Sequence, residues 1–188
     1  MAIKPILFNT EMVRAILDGR KTVTRRLVKF LSRKNPNWTG YVKNGLMLYN
    51  GRNEPCIKKA PYQPGDILYV RESYSELSFG YVYKADGENI DHLGNVIKWH
   101  PSIHMPKEAA RIWLKVTDVR VQRLQDMDKM DAVKEGIDTR LCISLGHALM
   151  KFKKLWNLTI KKSDLDCYGW DASPWVWVIE FERCEKPE

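Results

Sequence analysis

The sequence lacks any long apolar run. No stretch approaches the roughly 18 consecutive apolar residues that a membrane-spanning helix needs. The opening residues, MAIKPILFNTEM, are too short and too polar for a signal peptide. We therefore expect a cytoplasmic protein without a membrane partner.

Cysteine and histidine are scarce, and neither is spaced as in a metal site or a disulfide framework. The four cysteines, which show no CxxC pair, are Cys56, Cys142, Cys167 and Cys184. Three histidines fall in one irregular segment with no cluster of carboxylates or cysteines beside them: His92, His100 and His104. There is also no Gly-rich phosphate loop and no Ser-His-Asp arrangement. We expect reduced thiols, surface histidines, no metal and no cofactor.

Acidic residues are almost missing from one segment. Residues 20–59 hold eleven lysines and arginines against a single acid, Glu54, whereas the whole chain has a net charge of only +8. The cationic excess of this basic protein is therefore local, which favours an anion-binding face over a general charge effect. Trp38, Tyr41 and Tyr49 are interleaved with these cations, as in grooves that stack the bases of single strands. A solvated basic surface with no partner is the alternative.

Hydrophobic periodicity predicts an α+β fold. Strands are expected at KPILFN, ILYVRESY, YVYKAD, ARIWLKVTDVRVQRL and PWVWVIEFERC. The fourth segment is either one long strand or two strands joined by a bend at Thr117 and Asp118. Helices are expected from an N-cap at Thr10 to a stop at Gly19, then over 126–135 and 145–157, with Met130 and Leu145 among the inward residues. We expect a single domain, 1–188, with insertions at approximately 30–62 and 80–106, the first containing a hairpin.

One short motif carries a family resemblance. Gly19, Lys21, Thr24 and Arg26 meet the pattern G-x-K-x-x-T-x-R, which is similar to the signature of ASCH domains. The blocks PGDILYVRESY, LQDMDKMDAVKEGI and PWVWVIEFERC extend the likeness to roughly half of the chain. The whole resembles ASCH proteins encoded by phages and prophages. This resemblance implies a PUA-like mixed β-barrel flanked by helices, related to the fold of RNA-modifying enzymes.

The resemblance also implies two activities. One branch of the family is an amidohydrolase that removes the acetyl group of N4-acetylcytidine, and its implied catalytic residues correspond here to Lys21, Thr24 and Glu72. Another branch is associated with nucleic-acid binding and ribonuclease activity. Because one fold carries both, the resemblance does not choose between an enzyme and a binding protein.

The three residues allow more than one chemistry. Lys21 with a lowered pKa would activate Thr24, or Glu72, on the apolar face of its strand with Leu68 and Val70, would act as a base on water. A regular strand would point Lys21 and Thr24 to opposite faces, so their convergence requires a turn between them. The alternative is structural: a buried Lys21–Glu72 ion pair and a turn-stabilising hydroxyl on Thr24.

We expect the protein to bind nucleic acid, either RNA, another single strand or a modified nucleoside, with a possible hydrolytic site. The binding residues would be Arg20, Arg25, Arg26, Lys29, Arg33, Lys34, Trp38 and Arg71. An amidohydrolase acting on N4-acetylcytidine-type nucleosides, or a ribonuclease, is the first alternative. A phage-type module that binds an acidic protein is the second.

Overall fold

The computed structural model describes residues 1–30, 41–43, 47–49, 52, 54–87, 89–90 and 93–187. The main sheet contains five strands: β1 (Ile3–Leu7), β2 (Val23–Leu27), β5 (Ile67–Arg71), β8 (Trp113–Arg123) and β9 (Trp175–Cys184). Two hairpins accompany it, β3 (Tyr41–Lys43) with β4 (Met47–Tyr49), and β6 (Tyr74–Leu77) with β7 (Gly80–Tyr83). The helices are α1 (Thr10–Leu17), α2 (Lys129–Lys134), α3 (Leu145–Thr159) and α4 (Leu165–Tyr168). No helix in these ranges is long and apolar enough to cross a membrane.

The main sheet is mixed and open. Its strand order is β1-β5-β8-β9-β2, with β1 parallel to β5 and the other pairs antiparallel. The predicted α+β class is confirmed. The predicted barrel is not closed by backbone pairing, because no ladder joins the two edge strands, β1 and β2, within the described part of the chain.

Side-chain alternation on β9 divides the core into two layers. Trp175, Trp177, Ile179 and Phe181 face the cluster that also contains Ile6 and Phe8, as the sequence predicted. Val176 and Val178 face the opposite cluster, against Phe152 and Trp156 of α3. The neighbouring strand β8 is one long strand, the first of the two predicted alternatives, with an irregularity between Val116 and Asp118.

The helices differ from the prediction mainly at their ends. Asn9, rather than Thr10, caps α1, because its side chain accepts from the Met12 N–H. The predicted helix over 126–135 is shorter: Leu124–Asp126 forms a 3₁₀ turn, and Asp128 then caps α2 with a capping box to Asp131. The predicted burial of Met130 and Leu145 was wrong, because both lie in the first turns of their helices and are 48% and 43% exposed.

Both predicted insertions contain hairpin structure. The first includes the pair β3 and β4, in agreement with the expected hairpin. In the second, the strand predicted over YVYKAD ends at Tyr83, and Lys84–Asp86 forms a 3₁₀ turn stopped by Gly87 in the left-handed region. These segments lie on either side of β5 in the sequence, and the first of them supplies part of the site described next.

Candidate functional site

A cleft of about 370 Å³ opens between the two unpaired edges of the sheet. Ile6 and Leu7 of β1 form one side, and Leu27 of β2 with Trp177 of β9 forms the other. Leu7 is 38% exposed although its neighbours in the chain, Ile6 and Phe8, are buried. An apolar cavity of this size at a sheet edge falls in the range of ligand sites.

Arg26 crosses the gap between the edge strands. Alternation along β2 places Thr24 and Arg26 opposite Ile179 and Trp177, on the inner face of the sheet. The Arg26 guanidinium donates to the Leu7 carbonyl of β1 at 2.8 Å, and its Cζ lies 5.5 Å from the centre of the Phe8 ring. Burial lowers the pKa of Arg26, although an arginine pKa starts so high that the group stays charged.

Three exposed lysines surround the mouth of the cleft: Lys29, Lys58 and Lys59. The Lys58 N–H donates to the Lys29 carbonyl at 2.9 Å, which ties the two lysine-bearing segments together. Tyr62 completes the wall, and its hydroxyl donates to the Pro5 carbonyl at 2.9 Å. Burial raises the pKa of Tyr62, so the phenol is neutral at physiological pH.

The cleft carries cations without matching acids. None of the described residues that line it is an aspartate or a glutamate. Among the described residues, Arg26 and the three lysines form no ion pair, whereas every other arginine of the motif region has a carboxylate partner. Positive charge without a counter-charge in a concave site attracts anions.

Lys21 is held elsewhere, beside α2. It precedes β2 and is buried, and its ammonium donates to the carbonyls of Val23 at 2.7 Å and Glu135 at 2.9 Å. The Glu135 carboxylate accepts the third bond at 2.7 Å. Burial lowers the pKa of Lys21, and the nearby Glu135 opposes that shift. All three ammonium donors therefore have acceptors within the protein.

Arg25 belongs to the same buried cluster. Its guanidinium contacts Glu135 at 3.2 Å and Asp131 at 2.7 Å, on the face of β2 opposite to Arg26. The predicted role of Arg25 as a nucleic-acid ligand does not fit this position, because its side chain has no exposed surface. Alternation along a strand is the physical reason: neighbouring residues 25 and 26 must point to opposite faces.

Glu72 lies beyond the end of β5 and is also engaged. Arg111 donates to both carboxylate oxygens, through Nε at 3.0 Å and one terminal nitrogen at 3.1 Å. The same guanidinium pairs with Asp86 and lies 3.9 Å from the centre of the Tyr83 ring. Burial raises the pKa of Glu72, and the charge and hydrogen bonds of Arg111 oppose the shift.

Lys21 and Glu72 are held by different partners. The alternative of a Lys21–Glu72 ion pair was wrong, since Lys21 pairs with Glu135 and Glu72 with Arg111. Thr24 is not a turn residue either, because it is buried inside β2, which begins at Val23.

Only some predicted binding residues reach the cleft. Arg26 and Lys29 line it, whereas Arg20 binds Asp18 and the Gly136 carbonyl, and Arg71 binds the carbonyls of Met105 and Ile103. Arg33, Lys34 and Trp38 lie outside the described residues. Sequence reasoning missed the contributions of Lys58, Lys59, Tyr62 and Trp177. The charge count over 20–59 contained the two lysines, but no sequence signal placed them against β1 and β2.

The described residues contain no group of three or more histidine, cysteine, aspartate or glutamate side chains placed to hold a metal ion. His100 lies against Tyr74, with 5.5 Å between the ring centres. His92 is outside the described residues.

Comparisons with known proteins give likeness in fold only. No protein-family model matches the chain, and no curated protein matches it. An ASCH domain from Lactobacillus crispatus JV V101 is similar in structure, with 13% identity, a TM-score of 0.45, and coverage of 97% of this chain and 79% of that one. Protein EF3133 from Enterococcus faecalis V583 is similar at 11% identity and a TM-score of 0.41, over 100% of this chain and 86% of that one.

The α+β class that the sequence predicted is present in the strands and helices of this chain. The protein is an α+β protein with an open mixed sheet and a basic cleft between the edges of that sheet. TM-scores below 0.5 say nothing about its ligand or activity, so any function must be argued from the cleft itself.

Proposed function

We propose that this protein binds single-stranded nucleic acid, RNA in the first instance, in the cleft between β1 and β2. The observation that carries the proposal is the composition of the cleft: an arginine and three lysines around apolar and aromatic walls, with no acid among its described lining residues. Cations beside aromatic surface are the two components that single-strand binding requires.

The lysines supply the electrostatic part. Lys29, Lys58 and Lys59 are exposed and form no ion pair with a described carboxylate, so their charge is available to phosphates without breaking an internal contact. Each phosphate that a lysine neutralises releases condensed counterions, which drives binding and makes the affinity sensitive to salt.

The walls supply the second part. Tyr62 is half-buried and its hydroxyl is fixed on Pro5, so its ring is held in one orientation at the cleft. Leu27, which is half-buried, offers apolar surface on the facing side, beside the buried Trp177. A base that moves from water to a position between such walls gains free energy from stacking and from the hydrophobic effect, whatever the sequence of the strand.

Paired lysine substitutions test the proposal. In Lys58→Gln/Lys59→Gln, we expect weaker binding of labelled single-stranded RNA in fluorescence anisotropy, by a similar factor for all sequences. Lys161→Gln/Lys162→Gln is the matched control, because these are also two adjacent exposed lysines but do not line the cleft. Equal loss in both variants would contradict a localised site. No binding by the wild type, together with binding of an acidic protein, would favour the interaction module instead.

Hydrolysis at Lys21, Thr24 and Glu72 is a second candidate, favoured by one observation. Burial lowers the pKa of Lys21 and raises that of Glu72, the two directions that bring a base towards neutral pH. Against it, Lys21 and Glu72 are both held by other side chains. Incubation with N4-acetylcytidine or single-stranded RNA tests it: turnover by the wild type that is lost in folded Glu72→Gln would support hydrolysis, and no turnover by the wild type would contradict it.

A further inference from the structure

We infer that the cleft selects guanine, and that Arg26 is the residue that recognises it. The inference rests on the proposed function, since it names which base the cleft prefers. It is carried by the contrast, among the residues that line the cleft, between one half-buried arginine held on β1 and three exposed lysines.

The position of Arg26 is fixed before any ligand arrives. Its bond to the Leu7 carbonyl anchors one terminal nitrogen on β1, and its Cζ lies 5.5 Å from the centre of the Phe8 ring. A guanidinium has five N–H donors and no acceptor, so the anchor leaves most of the donors unused. No described carboxylate pairs with Arg26, although Arg25 beside it has two such partners.

The surroundings of Arg26 suit a base better than a phosphate. Leu7 and Leu27 present partly exposed apolar surface beside it, next to the buried Ile6 and Trp177; a planar base covers such surface favourably, and a strongly hydrated phosphate does not. The exposed lysines at the mouth are better placed for phosphates, because they remain in water, where a phosphate keeps part of its hydration.

The edge of guanine that carries O6 and N7 matches a group that can only donate, because these two adjacent acceptors have no donor beside them. Adenine places an amino donor beside N7, and cytosine carries an amino donor beside its N3 and O2 acceptors. None of the described lining residues is an acid that could accept a hydrogen bond from those amino groups. Arginine with guanine O6 and N7 is accordingly the commonest specific pairing of a side chain with a base.

The test uses the wild-type protein and short uridine-rich single-stranded RNAs that differ at one central base. We expect the guanosine oligonucleotide to bind at least about tenfold more tightly than those with adenosine, cytidine or uridine. Inosine, which keeps O6 and N7, should bind like guanosine. 7-Deazaguanosine, which lacks the N7 acceptor, should lose most of the preference.

An arginine variant gives an independent measurement. Arg26→Lys keeps the positive charge but loses the planar fork, so it should bind all four oligonucleotides with similar affinity. Thermal unfolding checks that the variant is folded, since Arg26 also bridges the edge strands. The 7-deazaguanosine result on wild type stands even if this variant is unstable.

The outcomes separate the two proposals. Binding of all four oligonucleotides with equal affinity, or preference for another base, would overturn the guanine inference and leave the proposed function intact. If the wild type bound no oligonucleotide, the proposed function and the inference would both fail.

Discussion

At the residue scale, the motif region contains a buried cluster of charged side chains, which consists of Lys21, Arg25, Asp131 and Glu135. Glu135 is its centre, because one carboxylate oxygen accepts from Lys21 and the other from Arg25. The Arg25 Nε is buried without a hydrogen-bond partner, so the cluster is already short of acceptors. Its stability therefore depends on the negative charge of Glu135.

Removal of that charge should be strongly destabilising. In Glu135→Gln, two buried cations would face one fewer carboxylate, and we expect the free energy of unfolding to fall by about 3 kcal/mol or more. Urea denaturation measures the loss. Glu182→Gln, at an exposed position, is the control and should stay within about 0.5 kcal/mol of wild type. A small effect at Glu135 would mean that the cluster relaxes or takes up water.

Glu72 should make stability depend on pH in the opposite sense to most carboxylates. Burial raises its pKa above the ordinary value of 4.5, with Arg111 opposing, so the folded protein favours the protonated acid. Its contribution to stability is then fully present below that ordinary value and is lost as pH rises through the folded-state pKa.

The measurement is the unfolding free energy of wild type minus that of Glu72→Gln, followed from about pH 4 to pH 7. We expect this difference to decrease with rising pH, whereas the difference for Glu182→Gln should stay flat. An increase with pH would show that Arg111 dominates and that the pKa of Glu72 is lowered in the folded protein.

Sequence reasoning at this scale found residues but not their partners. Alternation correctly placed Trp175, Trp177, Ile179 and Phe181 on one face, because a strand's periodicity is a local property. The partner of Lys21 is 114 residues away in the chain, so no local pattern indicated Glu135. The partner of Glu72, Arg111, lies in the stretch leading into β8 and was likewise not expected.

At the scale of the elements, α2 and its C-cap residue Glu135 position the charge cluster, and Gly136 follows the end of the helix. The Gly136 N–H donates to the Val133 carbonyl, and its φ of +97° lies in the left-handed region. A Cβ added there would lie 2.8 Å from the Ala15 Cβ and 3.0 Å from the Lys21 Cβ. The close approach of this turn to α1 and to Lys21 therefore requires glycine.

Two glycine substitutions should act in opposite directions. Gly136→Ala should lower the free energy of unfolding by more than about 1 kcal/mol, through both strain and overlap. Gly146→Ala, in the first turn of α3, should raise it by about 0.5 kcal/mol, since its Cβ would meet only the Ser144 Oγ at 3.6 Å and alanine favours helix. Chemical denaturation of both variants measures the two changes in the free energy of unfolding. Equal effects of the same sign would contradict the account of the Gly136 turn.

The errors in the start of α2 and in the burial of Met130 have a common cause. Periodicity alone extended α2 backwards to residue 126, but Asp128 offers its carboxylate to the Asp131 N–H and so fixes a later start. Met130 then falls in the first turn and faces solvent, although the apolar spacing predicted a buried side chain. Cap chemistry, read before the periodicity, would have corrected both.

At the scale of the whole molecule, the open edge of the sheet and the uneven distribution of charge meet at one place. The basic segment 20–59 supplies Arg26, Lys29, Lys58 and Lys59 to the gap between β1 and β2. The charge count predicted an anion-binding face, but not its location, because that depends on which strands form the edges of the sheet. The sequence thus predicted the fold class, but not where in the fold the cations of this segment would lie.

The measurement that tests this account most directly is the salt dependence of RNA binding by wild type and by Lys58→Gln/Lys59→Gln. A plot of log K against log salt concentration should have a negative slope, and loss of two phosphate contacts should reduce its magnitude by about 1.4. Lys161→Gln/Lys162→Gln should leave the slope unchanged. Identical slopes for all three proteins would contradict a nucleic-acid site in the cleft.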